Sequence, residues 1–256
     1  MSTAVQVAVA AALAAGRIQQ ERIDDIGEIR YKGEIDLVTE VDLLCEQEIL
    51  GRIRKQFPSH ALLAEESGAT EGSADHQWIV DPLDGTVNYA HGYPCYCVSI
   101  GYRQAGDMVL GVVYNPSLDE LFIAEKGKGA TLNAKPIRVS AVTNLKKSLL
   151  VTGFAYEAHN VNDNNLDHFA NFIQGGHAVR RSGSAALDLC YTAMGRFEGF
   201  WELHLNPWDV AAGMLMVREA GGKVTRFDGS PSDIDDKEIL ATNGHVHPAM
   251  MNMLSP

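Results

Sequence analysis

Two acidic clusters, at residues 78–86 and 206–209, each place carboxylates at the end of an apolar stretch. The first reads WIVDPLDGT and contains Asp81 and Asp84, and the second reads NPWD and ends in Asp209. An ionised carboxylate at the edge of a core is costly unless a countercharge or several hydrogen bonds replace the lost water. Bound cations would supply that countercharge, so the pattern suggests a divalent-metal site.

The first cluster contains what is needed to gather hard oxygen ligands around one point. Pro82 stiffens the backbone between the two aspartates, the carbonyl of Leu83 adds a third oxygen, and Gly85 permits a tight turn that presents the hydroxyl of Thr86. Oxygen ligands without His or Cys favour Mg²⁺ or Mn²⁺ over zinc or iron. Taken alone, an Asp-x-x-Asp-Gly segment is more often a turn whose carboxylates cap backbone amides.

The second cluster and a glutamate pair offer further carboxylates. Asn206 can cap a helix that starts at Pro207, which places Asp209 in the first turn, where the helix dipole favours an anion. The same arrangement is also a plain capping box. Glu65 and Glu66 follow a strand-length apolar run. Because adjacent strand residues point to opposite faces, at most one of them should enter a cleft.

The elements that must position these residues follow from hydrophobic periodicity and turn signals. Helices are predicted over residues 3–24 and 40–56, the second capped by Thr39, after a charged segment at 32–42 that is typical of a solvated loop. Strands are predicted at 61–64 and 77–80, with neighbouring ends, followed by an antiparallel meander at 97–102, 108–114 and 121–124. The remainder alternates: strands at 149–152, 177–180, 197–203 and 238–241, and helices at 164–174, 185–194, 207–220 and the C-terminus. This pattern predicts two α/β halves, residues 1–140 and 141–256, in one compact unit around a shared cleft.

Composition narrows the class of protein. The chain has 256 residues, 46% of them hydrophobic, which is enough for a sizeable core, and a formal charge of -12 that repels nucleic acids and anionic membranes. Of the basic doublets, Arg180-Arg181 either draws phosphate to an entrance or forms a salt-bridged strand end.

The four cysteines lack zinc-site spacing, and no apolar run approaches the ~20 residues of a membrane span. We expect buried, reduced thiols in a cytoplasmic protein with no nucleic-acid or membrane partner. His245-x-His247 is predicted to start the last helix rather than to bind metal.

Residues 78–89 (WIVDPLDGTVNY), with Pro94 beyond, resemble the first signature of the inositol monophosphatase family, a group of lithium-sensitive, metal-dependent phosphomonoesterases. Residues 208–213 (WDVAAG) and 219–222 (EAGG) resemble the second, and the segments 36–39 (DLVT), 64–67 (AEES) and 183–186 (GSAA) and Glu202 fall in the family's order. Ala64 and Tyr89 stand where glycine and phenylalanine are frequent, and neither is a ligand position. The resemblance covers nearly the whole chain and implies an α/β fold, the layered α/β/α/β/α sandwich of the inositol monophosphatase and fructose-1,6-bisphosphatase type.

The resemblance also implies roles for particular residues. It implies two to three Mg²⁺ ions per active site, the third weaker and sharing Glu65 through water, with Mn²⁺ as a substitute and Li⁺ and Ca²⁺ as inhibitors. The implied catalytic residues are Thr86 and Asp42, which match the pair that activates the attacking water, and Glu65. The implied metal ligands are Glu65, Asp81, the Leu83 carbonyl, Asp84 and Asp209. The implied substrate-binding residues are Asp84, Gly85, Thr86, Gly183, Ser184, Ala185, Glu202 and Asp209.

The implied activity is Mg²⁺-dependent hydrolysis of inositol 1-phosphate to inositol and phosphate by metal-activated water, in a homodimer. Glu202, on a strand beside Phe200 and Trp201, offers an acceptor for a hydroxyl and favours a small phosphorylated polyol or sugar. Alternatives are the same chemistry on fructose 1,6-bisphosphate, histidinol phosphate or 3'-phosphoadenosine phosphates, or an additional macromolecular binding role. An aspartyl-phosphate phosphatase is a further rival, although its Asp-x-Asp-Gly-Thr motif places the two acids one residue closer together than they stand here.

Overall fold

The computed structural model describes residues 3–25, 27, 29–31, 37–155 and 164–254. The helices are α1 (Thr3–Arg22), α2 (Glu40–Gln56), α3 (Thr86–Ala90), α4 (Leu166–Gln174), α5 (Ala185–Ala193), α6 (Pro207–Glu219) and α7 (His247–Leu254). The strands of the first half are β1 (Ile29–Tyr31), β2 (Leu37–Thr39), β3 (His60–Ala64), β4 (Gly68–Thr70), β5 (Ser73–Asp84), β6 (Cys97–Gln104), β7 (Asp107–Asn115), β8 (Glu120–Glu125), β9 (Gly129–Leu132) and β10 (Lys135–Pro136). Those of the second half are β11 (Leu149–Thr152), β12 (Ala178–Arg180), β13 (Gly199–Leu203), β14 (Lys223–Thr225) and β15 (Glu238–Thr242). Of the charged segment at 32–42, residues 32–36 lie outside the described residues, and the remainder is not the predicted solvated loop but strand β2 and the start of α2, with Leu37, Thr39 and Asp42 buried.

The first large sheet has the strand order β10-β9-β8-β7-β6-β5-β3-β4. Strands β6, β7 and β8 form the predicted antiparallel meander. Strand β3 runs parallel to β5 with Ala64 opposite Val80, which confirms that the strand ends preceding Glu65 and Asp81 are neighbours. Strand β5 is longer than predicted, because its pairing with β6 resumes at Asp84 after an irregularity. Pro82 lies in that irregularity, where a missing N–H does not interrupt the ladder.

The second sheet has the order β12-β11-β13-β15-β14, in which β11 is parallel to both neighbours and β15 is antiparallel to both. Strand β13 lies at its centre, and its five residues are buried. Glu202 is therefore held on the most enclosed strand of this sheet.

Helices and sheets alternate in layers. Helices α1 and α2 cover one face of the first sheet, where Val41, Ile49 and Trp78 belong to one buried cluster. Helices α5 and α6 lie between the two sheets and share a second cluster with both of them. Helices α4 and α7 cover the outer face of the second sheet with a third cluster. This order confirms the α/β/α/β/α sandwich. The division at residue 140 stays a prediction.

Close approach of α6 to the first sheet depends on glycine. A Cβ atom at Gly111 would lie 2.7 Å from the carbonyl oxygen of Ala212, and one at Gly101 would lie 3.0 Å from the Cβ of Ala211. Small residues on both sides therefore allow helix and sheet backbones to pack together, which brings the first turn of α6 beside the ends of β3 and β5.

The sequence predicts buried, reduced thiols and no apolar run long enough to span a membrane. All four cysteines are free, with Cys45, Cys97 and Cys190 buried and Cys95 half-buried. No helix among the described residues combines the length and the apolar character needed to cross a bilayer.

Candidate active site

The ends of β3 and β5 and the N-termini of α5 and α6 meet at a cavity of about 730 Å³. Its lining includes five carboxylates, two cations and several backbone segments. The predicted site residues that line it are Glu65, Asp84, Gly183, Ser184, Ala185, Glu202 and Asp209. Residues from both halves of the chain thus line one cavity, whereas Asp42, Asp81, Leu83, Gly85 and Thr86 are not part of its lining. The roles of all of them stay predictions.

The strand ends fix the first acidic residues of the cavity. The N–H of Glu65 donates to the Val80 carbonyl at 3.1 Å, which continues the β3–β5 pairing. Glu65 lines the cavity, whereas the N–H of Glu66 donates to Glu46 Oε2 at 2.8 Å. Of the pair, Glu65 alone lines the cavity, in agreement with the expectation that at most one enters the cleft, although both lie in the turn that follows β3.

Asp81 lies immediately before the turn and is 2% exposed. Its Oδ1 accepts a hydrogen bond from the N–H of Leu83 at 3.0 Å. Burial, followed by repulsion from Glu65, Asp84 and Asp209, raises the pKa of Asp81 well above its ordinary value. Asp81 is thus a buried carboxyl with three other carboxylates near it, and a bound cation would stabilise its ionised form.

Asp84 joins the two halves of the chain. Its Oδ2 accepts hydrogen bonds from Ser184 Oγ at 2.6 Å and from the N–H of Ala186 at 2.8 Å. Both donors belong to the N-terminus of α5, where the helix dipole favours an anion. Burial raises the pKa of Asp84, and the hydrogen bonds from Ser184 and Ala186 partly oppose that rise. Gly85 follows with φ 95°, and a Cβ there would lie 2.8 Å from the Cys95 carbonyl oxygen.

Asp209 is held by its own helix. It is the third residue of α6, and its Oδ2 accepts a hydrogen bond from the N–H of the capping residue Asn206 at 2.7 Å. Burial, then repulsion from Asp84, raises the pKa of Asp209, and Lys237 acts in the opposite direction. The cap predicted from the sequence is present, and it points the carboxylate into the cavity.

Thr86 and Asp42 are in direct contact. Thr86 Oγ1 lies 3.0 Å from Asp42 Oδ1 and 3.0 Å from the Leu83 carbonyl oxygen. Asp42 Oδ2 accepts hydrogen bonds from the backbone N–H and the hydroxyl of Thr39, at 2.8 and 2.6 Å. Burial raises the pKa of Asp42 to about 6, with these hydrogen bonds opposing the rise. The hydrogen bonds at the start of α2 thus fix the position of Asp42 against Thr86.

The opposite side of the cavity carries the predicted substrate residues. Gly183 has φ 90°, and a Cβ there would lie 2.8 Å from Arg181 Nη1 and 3.0 Å from Asn88 Nδ2. Glu202 is 6% exposed, and burial, then repulsion from Asp188, raises its pKa well above the ordinary value. Glu202 can accept a hydrogen bond from a hydroxyl group on this side of the cavity. A side chain at position 183 would crowd Arg181 and Asn88 and would be strained at this positive φ.

The oxygen set fits a hard divalent cation. Asp81, Asp84 and Asp209 each receive protein hydrogen bonds on one oxygen, and a carboxylate has about four acceptor positions. Burial raises the pKa of all three carboxyls, and repulsion between carboxylates adds to the rise for Asp81 and Asp209, so a bound cation would stabilise their ionised forms. Within the described ranges, no three His, Cys, Asp or Glu side chains are already grouped closely enough to hold a metal ion. The fit therefore rests on ligand chemistry and electrostatics, not on preformed coordination geometry.

Some lining residues were not predicted as site residues. Lys237 and Asp188 line the cavity, as does Asn88, whose Nδ2 donates to the carbonyl oxygens of Cys95 and Ser182 at 2.7 and 2.9 Å. Of the Arg180-Arg181 doublet, left open above, Arg181 lines the cavity, while Arg180 is exposed and donates to the neighbouring Val179 carbonyl. No local sequence signal marks Lys237 or Asp188, because their position depends on chain folding over long separations.

The sequence matches the inositol monophosphatase family over residues 1–255. It is 48% identical to an inositol-1-monophosphatase of Synechocystis sp., with 100% of this chain and 90% of the relative covered. It is 40% identical to the Nus factor SuhB of Pseudomonas aeruginosa, with 100% and 97% covered. The solved structure of an inositol monophosphatase from Anabaena (Nostoc) sp. PCC 7120 superposes with a TM-score of 0.88 at 47% identity, covering 98% of this chain and 95% of that one.

The layered fold and these likenesses define a phosphatase. The chain belongs to the inositol monophosphatase family.

Proposed function

We propose that the chain is a Mg²⁺-dependent phosphomonoesterase that hydrolyses inositol 1-phosphate to inositol and phosphate. The observation that supports this most is the convergence of Glu65, Asp84 and Asp209 on one cavity that also contains Glu202. The first three would hold cations together with Asp81 and the Leu83 carbonyl, and Glu202 would accept a hydroxyl of the leaving polyol. Bound Mg²⁺ would supply charge stabilisation for the phosphoryl group and the leaving oxygen, and would acidify water.

The proton of the attacking water would leave through Thr86 and Asp42. A hydroxyl donates one proton, so when Thr86 donates to Asp42 Oδ1 its own oxygen is available to accept a hydrogen bond from water. Asp42, with a pKa raised to about 6 by burial, is mainly ionised at neutral pH and is near the range that favours general-base action. No protein nucleophile is needed.

The charged side chains on the substrate side of the cavity favour a substrate that is the phosphate monoester of an uncharged alcohol. Burial raises the pKa of both Asp188 and Glu202, and Arg181 lies close enough to both to oppose part of that rise. A second phosphate on the alcohol would meet these two carboxylates as well as the cation. Inositol 1-phosphate, whose remaining groups are hydroxyls, matches this surface better than fructose 1,6-bisphosphate.

Turnover of inositol 1-phosphate, fructose 1,6-bisphosphate, histidinol phosphate and a 3'-phosphoadenosine phosphate, measured side by side with Mg²⁺, tests the substrate. We expect the highest kcat/KM with inositol 1-phosphate, and a higher value for another ester would reassign the substrate. Activity that persists in a strong chelator would contradict the metal requirement. A trapped phospho-aspartate would favour the aspartyl-phosphate mechanism instead.

A second role is suggested by one comparison. The relative from Pseudomonas aeruginosa is named a Nus factor, so an additional macromolecular binding role is a candidate for this chain. Pull-down with a catalytically inactive ligand variant separates such binding from turnover. We also propose a cytoplasmic homodimer, which sedimentation at low protein concentration tests, a stable monomer being the contrary result.

A further inference from the structure

A buried amide on α1 contacts the backbone of the first acidic cluster. Gln19 is 0% exposed, and its Nε2 donates a hydrogen bond to the Pro82 carbonyl oxygen at 2.9 Å. Its Oε1 makes no hydrogen bond to any described residue. Burying an amide that leaves part of its hydrogen-bonding capacity unused is costly. The Gln19 side chain also interacts with the Cys45 thiol, and its bond to Pro82 is the one that reaches the first acidic cluster.

The peptide between Pro82 and Leu83 is held at both of its polar atoms. Its carbonyl accepts from Gln19, and its N–H donates to Asp81 Oδ1 at 3.0 Å. The proline ring fixes φ of Pro82, so the freedom left to this peptide plane is a concerted rotation about ψ of Pro82 and φ of Leu83. That rotation would move the carbonyl and the N–H together, and the bond from Gln19 opposes it.

A second buried bond ties α1 to the same region without contacting that peptide. The hydroxyl of Tyr89, on α3, donates to the backbone carbonyl oxygen of Gln19 at 2.7 Å. Tyr89 is 0% exposed. The two bonds thus have similar length and burial, but only the one from the Gln19 side chain reaches the backbone beside Asp81.

We propose that Gln19 is a positioning residue for metal binding, which by fixing the Pro82–Leu83 peptide orients the Asp81 carboxylate and the Leu83 carbonyl towards the cations. The inference rests on the proposed function in taking Asp81 and Leu83 as metal ligands. Residues that orient ligands in this way commonly change metal affinity about 10- to 100-fold when they are replaced.

The test is a Mn²⁺ titration of the full chain without substrate, in which the free ion is followed by electron paramagnetic resonance. Gln19→Met removes the donor and keeps an unbranched side chain of similar length. We expect its Mn²⁺ affinity to fall about 10- to 100-fold, while Tyr89→Phe, the matched control, stays within about twofold of the unsubstituted protein. Both variants should lower the thermal midpoint similarly, because each loses one buried hydrogen bond.

Unchanged Mn²⁺ affinity in Gln19→Met overturns the proposal, as does an equal loss of affinity in Tyr89→Phe. Absence of Mn²⁺ binding by the unsubstituted protein overturns both the metal assignment and this inference. A protein that binds Mn²⁺ but does not hydrolyse inositol 1-phosphate contradicts the proposed substrate alone, and the same titration still decides the role of Gln19. If Gln19→Met does not fold, Gln19→Asn, which keeps the amide but shortens its reach, is measured with the same two outcomes.

Discussion

The cavity has two acidic walls, the first formed by the acidic cluster that contains Asp84 and the second by the start of α6 with Asp209. The two walls are held in place by different means. On the first wall, Asp84 accepts hydrogen bonds from Ser184 Oγ and the Ala186 N–H, about a hundred residues away at the start of α5. On the second wall, Asp209 accepts from the N–H of Asn206, three residues away in its own helix. The first wall therefore depends on how both halves fold together, whereas the second is set by local sequence.

This difference separates two ways of placing a carboxylate at a site. A capping carboxylate needs only the start of a helix, and the orphan N–H groups there supply its hydrogen bonds. A carboxylate at a strand end has no row of orphan N–H groups beside it: Asp81 receives one local bond, from the Leu83 N–H, and Asp84 is satisfied by another part of the chain. Substitutions on the first wall should therefore affect chemistry and the contact between the halves together.

The largest effect is expected for Asp84→Asn. It removes a charge that acts on the transition state, so kcat at saturating inositol 1-phosphate and Mg²⁺ should fall on the order of 10³-fold, or about 4 kcal/mol. The measurement is steady-state turnover together with the metal content of the variant. Near-normal turnover with normal metal content would contradict the assignment of Asp84 as a ligand of the catalytic cations.

The same difference decides what the sequence could predict. Thr39 as the cap of α2 and Asn206 as the cap of α6 were predicted from local pattern, and both are present. The strand at residues 149–152 was also predicted with the observed bounds. These features depend on residues within a few positions of each other.

Features that depend on distant partners were missed. Strand β5 continues through Pro82 to Asp84, because β6 pairs with it beyond the proline. The short helix α3, which follows the predicted turn at Gly85, was not predicted. The contact between Gln19 and Pro82 spans 63 positions. No local pattern encodes such pairs, so the sequence indicated the chemistry of the first wall but not what holds it.

A smaller loss is expected for Asp209→Asn. Asp209 is less deeply buried than Asp84, so water can partly replace it as an oxygen ligand, and kcat should fall on the order of 10²-fold. The amide keeps an oxygen that accepts from Asn206, so α6 should remain intact, which circular dichroism and the thermal midpoint check. A loss greater than that of Asp84→Asn would reverse the ranking of the two walls.

Low pH should lower the folding stability of the second half of the chain, because a buried histidine resists protonation there. His247 is 0% exposed, and its Nε2 and Nδ1 each lie 2.9 Å from a hydroxyl, those of Thr225 and Thr242. Burial, with repulsion from Lys223, lowers its pKa from 6.5 to about 4. The unfolded chain therefore takes up the proton first as pH falls, so stability is complete above about pH 6.5 and is lost progressively between pH 6.5 and about 4.

After discounting for solvent screening, the loss amounts to about 2 kcal/mol. Urea unfolding at a series of pH values measures it. Relative to the unsubstituted protein, His247→Gln should show a shallower decline over this window, while His245→Gln, at an exposed position, should leave the decline unchanged. Equal pH dependence in His247→Gln and the unsubstituted protein would show that other groups cause the acid sensitivity.

The smallest effect is expected for a change at Ser184, which tests the hydrogen bond that links the two halves of the chain. Ser184→Ala removes the 2.6 Å hydrogen bond to Asp84 Oδ2 but leaves the Ala186 N–H in place. Because a hydrogen bond to a charged group is worth about 1.5–3 kcal/mol, kcat/KM should fall roughly tenfold. The thiol of Cys97 lies 3.8 Å from the same oxygen, and Cys97→Ala, as the weaker contact, should change kcat/KM by less. If the two variants lose activity equally, the orientation of Asp84 depends on general packing around it and not on the bond from α5, and the distinction between the two walls fails at that point.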